Sequence, residues 1–151
     1  MNGYLLDTDH CIRILQGNPT IAKRLAESRR APVASCVIVA GELLYMALRS
    51  EKKGANLPRV IAFLENLSVY PADSESARIY GRLKTRVLER FGPREKARRR
   101  KFKIEKLGFK DNDLWIAAVA LQYDFTLLSA DSDFGRLAQV ENLAVENWWS
   151  S

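Results

Sequence analysis

Short apolar runs that close on or near an acidic residue constrain this chain more than any other feature. Tyr4-Leu5-Leu6 runs straight into Asp7, and Phe125-Thr126-Leu127-Leu128 precedes Asp131. Pro32-Val33-Ala34-Ser35-Cys36 leads into a helix-forming block that carries Glu42. Runs this short and this apolar read as strands buried on both faces. Helical blocks stand between them, so the pattern is strand, helices, strand, helices. That alternation predicts an α/β fold, a three-layer α/β/α sandwich with a mainly parallel central sheet. Right-handed crossovers then bring the carboxyl ends of the strands to one edge, the place where such sheets bind ligands. A fourth acid, Asp113, opens the helix-forming stretch Asp113-Leu-Trp-Ile-Ala-Ala-Val-Ala-Leu121, and its first turn falls on the same edge.

The spacing predicts strands over 3–7, 32–36, 125–129 and 143–145, with Val69-Tyr70-Pro71 as a short extended piece. Helices are expected over 9–16, 20–29, 37–50 and 56–66, with Lys53-Gly54 ending the third. A long helix should start at an Asp73 cap and stop near Phe91-Gly92-Pro93, with Ala77, Tyr80, Leu83 and Val87 along its apolar face. Gly108 should end the basic stretch, and Asn112-Asp113 should cap the helix that runs to Tyr123.

At 151 residues and 47% hydrophobic, the chain is expected to form a single domain over 1–151, with a basic insertion at about residues 90–106. No stretch is long and apolar enough to span a membrane, and the first residues lack the basic and apolar regions of a signal peptide. Cys11 and Cys36 form neither a disulfide framework nor a CxxC pair, and both are expected in the core. The expected compartment is a reducing cytoplasm.

Charge is unevenly spread. The formal net charge is +6, yet between Arg82 and Lys110 stand 13 Lys and Arg against Glu89, Glu95 and Glu105. The rest of the chain holds 11 basic and 15 acidic residues and is therefore mildly acidic. A basic segment on an acidic body suits a polyanion, because each neutralised phosphate releases counterions. A solvated, solubilising helix or loop is the plainer alternative.

Asp7, Glu42, Asp113 and Asp131 gathered on one edge would repel one another, and hard divalent cations relieve such repulsion. Mg²⁺ takes oxygen ligands, and Mn²⁺ is the alternative; zinc would call for histidine or cysteine. His10 is the only histidine, so a His-rich zinc site is excluded. One or two Mg²⁺ ions can activate a water and stabilise charge on a phosphodiester. Each acid also has a plainer explanation. Asp7 and Asp131 suit turns, Glu42 a solvated helix face, and Asp113 the first turn of a helix dipole.

In order, the acidic segments resemble PIN domains. Leu5-Leu6-Asp7-Thr8-Asp9 resembles the opening strand of that family, which commonly ends in Asp-Thr-Asn or Asp-Ser-Asn. Val37-Ile-Val-Ala-Gly-Glu42-Leu-Leu-Tyr45 is similar to its second motif, a helical Glu before Leu-Leu-Tyr-Gly. Asn112-Asp113-Leu-Trp-Ile-Ala-Ala118 resembles Asn-Asp-x-x-Ile-Ala-Ala, and Leu127-Leu-Ser-Ala-Asp131-Ser-Asp-Phe134 resembles Leu-Val-Thr-Asn-Asp-x-x-Phe. The matches span nearly the whole chain, and the type they resemble is the VapC toxin of bacterial and archaeal toxin–antitoxin pairs.

The resemblance implies a metal-dependent endoribonuclease whose acidic centre is Asp7, Glu42, Asp113 and Asp131, with Asp9 and Asp133 as further ligand or supporting positions. It also implies a homodimer and a small inhibitory antitoxin. Arg94, Arg98, Arg99, Arg100 and Lys101 are the candidate RNA contacts, or else extend a dimer or antitoxin surface. Two departures stand out. Asp9 replaces the common Asn, which adds charge, and Ser129-Ala130 replaces Thr-Asn, which removes a side chain expected to orient the Asp131 loop.

Around these, Thr8 and Ser129 are expected to orient carboxylates, Asp111 and Asn112 to cap a helix, and His10 to start one. Trp148 and Trp149 are expected to anchor the C-terminal tail on the body or a dimer surface, with base stacking as the alternative. Two other functions remain at this point. Asp7-Thr8-Asp9 also resembles the Asp-x-Asp of haloacid-dehalogenase-type phosphatases, although Glu42 and Asn112-Asp113 then have no role. A PIN-like domain that binds RNA or protein without cutting is the second.

Overall fold

The computed structural model describes residues 2–28 and 30–149. Five parallel strands form the centre: β1 (Tyr4–Leu6), β2 (Val33–Cys36), β3 (Ser68–Tyr70), β4 (Thr126–Leu128) and β5 (Val145–Glu146). Their spatial order is β3-β2-β1-β4-β5. The register sets Leu5 beside Ala34 on one side and beside Leu127 on the other. Among the described residues, eight helices connect or flank the strands: α1 (Thr8–Leu15), α2 (Pro19–Glu27), α3 (Val37–Arg49), α4 (Lys53–Glu65), α5 (Ser74–Phe91), α6 (Lys96–Lys101), α7 (Asp111–Gln122) and α8 (Asp133–Leu137). The crossovers move from β1 out to β3 and then back past β1 to β4. Right-handed connections running in opposite directions cover both faces, which is the three-layer sandwich the alternation predicted.

Local chemistry explains most element ends. Asn18 Oδ1 accepts the Ile21 N–H at 3.1 Å, and Pro19 follows at the first helical position, so α2 starts there. The expected last residue of that helix, 29, lies outside the described residues. Asp73 caps α5 as expected, and Ser76 Oγ answers by accepting the Asp73 N–H at 3.0 Å. Gly3 takes φ +146° where β1 meets β2, and a Cβ there would lie 2.5 Å from the Pro32 carbonyl oxygen. Only glycine fits that approach.

Three boundaries differ from expectation. Lys53 and Gly54 do not end α3; they form the first turn of α4, because Ser50 already breaks α3 with an extended backbone. The short extended piece at 69–71 is a true edge strand, β3, hydrogen-bonded to β2 in parallel register. Asn112 and Asp113 do not cap α7. The helix begins at Asp111, its flanking residue Lys110 has no capping side chain, and Asp113 lies within the first turn. The stretch after Asp131 also forms a short helix, α8, that the spacing did not predict.

The core follows the apolar runs. Leu5, Leu6, Leu127, Leu128 and Ile21 are almost fully buried, and α7 is buried nearly all round from Leu114 to Ala120. Burying each such leucine contributes about 1.5–3 kcal/mol. Cys11 and Cys36 are free and buried, as expected. Among the described residues, no helix is long and apolar enough to cross a membrane.

Candidate metal centre

The sheet reverses its winding between β1 and β4, and the crevice outside those two strand ends is where open α/β sheets bind ligands. Asp7 directly follows β1, and Ser129-Ala130-Asp131 directly follow β4. Helices that return antiparallel to the strands start on this same edge. That puts Asp113, in the first turn of α7, and Glu42, from α3, at the crevice. The result is an open cleft of about 670 Å³ lined by Asp7, Thr8, Asp9, Glu42, Asp113 and Asp131, together with Glu105, Lys110, Asp111 and Asn112.

Asp113, Asp131 and Asp133 offer carboxylate oxygens that lie within 4.8 Å of one another. Asp113 is only 6% exposed, and its Oδ2 is buried with no hydrogen-bond partner among the described residues. An orphaned buried carboxylate oxygen is costly unless a cation completes it. Burial, then the charges of Asp131 and Glu42, raise the Asp113 carboxyl to about 6. Asp7 is also buried, and desolvation with the nearby Asp9 and Asp113 pushes it up to about 7, against hydrogen bonds from Ser129 and the Thr8 backbone. An all-oxygen donor set with carboxyls held above their ordinary range fits a hard divalent cation.

The remaining polar groups fix the acids in place. Ser129 Oγ donates to Asp7 Oδ2 at 2.7 Å, and the Asp131 N–H donates to Ser129 Oγ at 3.0 Å. Thr8 Oγ1 donates to Glu42 Oε2 at 2.5 Å. Thr8 and Ser129 therefore orient carboxylates, as their position predicted. Asn112 does not cap α7; its Nδ2 donates to the other Glu42 oxygen, Oε1, at 3.1 Å. Asp111 likewise points away from a capping role and accepts from Tyr80 and from Lys84 Nζ.

Asp131 Oδ1 accepts the Asp133 N–H at 2.9 Å, an Asx turn that brings the second acid back towards the first. The Asp-x-Asp spacing carried that signal, so Asp133 ranks with Asp113 and Asp131. Asp133 also meets Arg136 Nη1 at 3.3 Å, and the same nitrogen donates to the Leu107 carbonyl at 2.8 Å. Glu105 and Lys110, which line the cleft, had no separate signal in the sequence beyond the basic run around them.

The basic segment splits into α6 and a 3₁₀ turn over Ile104–Leu107, ended by Gly108 in the left-handed conformation. Arg94, Arg98, Arg100 and Lys101 are exposed. Arg99 is half-buried and donates to the carbonyls of Pro93 and Arg94, so it staples the segment to itself. Lys84, Phe102, Lys103 and Glu105 border a second cleft, which shares Glu105 with the acidic one.

A family model of the PIN domain matches residues 4–140. The chain belongs to the PIN domain family. The ribonuclease VapC2 of Rickettsia felis is 28% identical over 147 residues, covering 96% of this chain and 97% of that protein. Among solved structures, VapBC2 of Rickettsia felis bound to a promoter DNA fragment superposes with a TM-score of 0.75 at 24% identity, over 97% of this chain and 98% of that one. DNA-bound VapBC of Salmonella typhimurium gives 0.78 at 22% identity, over 99% and 100%. These two likenesses bear on the fold.

Proposed function

We propose that this PIN domain is a divalent-metal-dependent endoribonuclease and the toxin of a toxin–antitoxin pair. The observation that carries the reading is the convergence of Asp113, Asp131 and Asp133 on one point, with the buried Oδ2 of Asp113 left without a partner. The ribonuclease named among its relatives and the toxin–antitoxin complexes among its structural neighbours support it.

Asp113, Asp131 and Asp133 would hold the cation, with Asp7 and Glu42 facing the same cleft. Mg²⁺ is the expected ion and Mn²⁺ the substitute. When bound, such an ion activates a water near neutral pH and offsets charge developing on the phosphate. The chain's own part is positioning. Ser129 holds Asp7, Thr8 and Asn112 hold Glu42 from both sides, and the Asx turn holds Asp131 against Asp133. Arg94, Arg98, Arg100 and Lys101 supply positive charge along the route by which a phosphate backbone reaches the cleft. Arg99 shapes that segment.

The antitoxin and a second copy are the proposed protein partners. Ile12, Leu15, Leu43, Met46, Ala47 and Val60 line a cleft of about 260 Å³ between α1, α3 and α4. Tyr45, Met46 and Leu48 on α3 are exposed beside it. An apolar face of this kind suits a protein partner.

A haloacid-dehalogenase-type reaction needs Asp9 as a free acid. Here Asp9 is committed to His10, Ala130 and Ser129. The direct test is incubation of the purified chain with tRNA, rRNA and mRNA, with Mg²⁺ or Mn²⁺ and with EDTA. Metal-dependent internal cleavage that disappears in EDTA and in Asp113→Asn is the expected result. A folded chain that cuts no RNA with either metal would leave only a binding function.

A further inference from the structure

Asp9 departs from the common Asn of this position, lines the acidic cleft, and yet both its oxygens are already engaged. Oδ2 accepts the Ala130 N–H at 2.9 Å and lies 3.2 Å from the Ser129 oxygen, whose single proton goes to the nearer Asp7. Oδ1 lies 2.6 Å from His10 Nδ1. Burial works to raise this carboxyl, but the His10 and Ala130 bonds outweigh it and hold it below its ordinary value.

His10 is fully buried, and its other nitrogen, Nε2, lies 3.0 Å from the backbone nitrogen of Trp148. A backbone N–H is always a donor, so Nε2 must accept. The ring proton therefore sits on Nδ1 and points at Asp9. The Trp148 backbone is itself held fast. Its indole is 1% exposed, meets the edge of Tyr4 at a centroid distance of 4.7 Å, and lies beneath the Arg24 guanidinium at 5.0 Å. The next residue, Trp149, stacks under Arg13 at 3.7 Å.

These contacts form one chain of directed hydrogen bonds, from the Trp148 N–H through His10 to Asp9, and from Asp9 to the Ser129-Ala130 loop. Ser129 in turn donates to Asp7 and receives the Asp131 N–H. We infer that Asp9 is a positioning residue rather than a metal ligand, and that the C-terminal tail at Trp148 sets it by fixing the His10 tautomer. Asp9 then does the work that the missing side chain at Ala130 leaves undone, because it holds that loop by its backbone. Asn at position 9 would not serve here. With its oxygen on Ala130, its amide group would face Nδ1 and force the ring proton onto Nε2, against the Trp148 N–H. The acid at 9 and the histidine at 10 are thus matched through the tail.

The inference rests on the nuclease reading for its catalytic consequence, but not for its first readouts. His10 is the only histidine, so long-range 1H–15N spectra of the wild-type chain report its tautomer without ambiguity. The expected spectrum has the proton on Nδ1 and Nε2 bare; a proton on Nε2 overturns the inference. Trp148→Phe keeps the backbone N–H and should keep that tautomer, whereas Asp9→Asn should mix or reverse it.

Titration with Mn²⁺ alone, followed by electron paramagnetic resonance, separates positioning from ligation. Asp9→Asn should lose less affinity than Asp131→Asn, and an equal or greater loss makes Asp9 a ligand and overturns the proposal. With RNA, Asp9→Asn should lower kcat about tenfold or more and leave KM within about twofold, as loss of a group that orients ligands does. A chain ending at Asn147 should lose as much, and combining it with Asp9→Asn should add nothing; additive losses break the link to the tail. If the shortened chain does not fold, the wild-type spectrum and the Mn²⁺ titration of Asp9→Asn still decide. If no RNA is cut by the wild type, the nuclease reading fails and those same two measurements judge Asp9 independently.

Discussion

The acidic centre and the basic α6 segment are opposites in how they are built. In the centre, single atoms matter. Ser129 reaches Asp7 across 122 positions of sequence, Asn112 reaches Glu42 across 70, and the Asp113 carboxylate is buried with one oxygen unpartnered. In α6 no residue is buried, and the hydrogen bonds that shape the segment span at most six positions. Arg136 joins the two by donating both to Asp133 and to the Leu107 carbonyl. A site that must hold a small, strongly hydrated ion requires preorganised ligands. A surface that attracts a phosphate backbone requires only summed charge. Substitutions should therefore act on the centre one residue at a time and on the arm only in aggregate.

The largest effect belongs to the centre. Asp113→Asn keeps the shape of the side chain and removes the charge that the site is built around. RNA cleavage should fall about a thousandfold, equivalent to about 4 kcal/mol of transition-state stabilisation. Circular dichroism should show the fold intact. A rate within tenfold of wild type would mean that the buried oxygen is no ligand, and the contrast between centre and arm would lose its main support.

Next comes the stability of the metal-free chain. Asp7 is held up to about 7 and Asp113 to about 6, mainly by burial. Well below the ordinary carboxyl value of 3.8 both groups are protonated in folded and unfolded chains alike. Above it the folded chain still binds protons that the unfolded chain has released, so stability from these groups is lost as pH rises from about 4 through about 7. In chelator at pH 7.5, Asp7→Asn should be more stable than wild type by about 2 kcal/mol, and the advantage should vanish at about pH 3, below the unfolded carboxyl value. Added Mg²⁺ should reverse the order at pH 7.5, because only the wild type offers the full set of charges. Urea melts at the two pH values, with and without Mg²⁺, measure all of this.

A smaller effect is expected in the arm. Replacing Arg98, Arg100 and Lys101 together by Ala should raise KM about tenfold at low salt and leave kcat unchanged. The slope of log affinity against log salt should shrink by about two, the amount for three contacts to single-stranded phosphates. Any one of the three alone should be hard to detect. A single substitution with the full effect would show that the arm holds a specific pocket instead of a diffuse charge.

The same contrast governs what was legible in the sequence. Asp7, Glu42, Asp113 and Asp131 stood out because each follows or opens an apolar segment, and all four line one cleft. Strands β1, β2 and β4 were legible for the same reason, since a buried run advertises itself. Edge strand β3 was read only as extended, because its pairing with β2 replaces the apolar signal. Lys53-Gly54 read as a stop signal, although a break at Ser50 had already ended α3. The roles of Asn112 and Asp9 were hidden for a deeper reason. Both residues are polar and lie in the first turn of a helix, so local chemistry assigns them to caps or ligands, while the partners that decide their roles, Glu42 for Asn112 and Ala130 for Asp9, lie far away in the sequence.

Arg99 yields the smallest change and sharpens the comparison most. Its neighbours in the arm face solvent, while its guanidinium donates to the Pro93 and Arg94 carbonyls just before α6. Such partly exposed bonds contribute little to global stability, so Arg99→Ala should change it by no more than about 0.5 kcal/mol. Local order should respond instead. Amide hydrogen exchange over residues 94–101 should quicken, while α7 and the strands that carry the acids keep their protection. KM should rise less than in the triple variant, because one charge is lost and the others are displaced only as the segment loosens. If exchange also quickened at Asp131 and Asp133, Arg136 would be passing the disturbance from arm to centre. The two regions would then have to be treated as one cooperative unit.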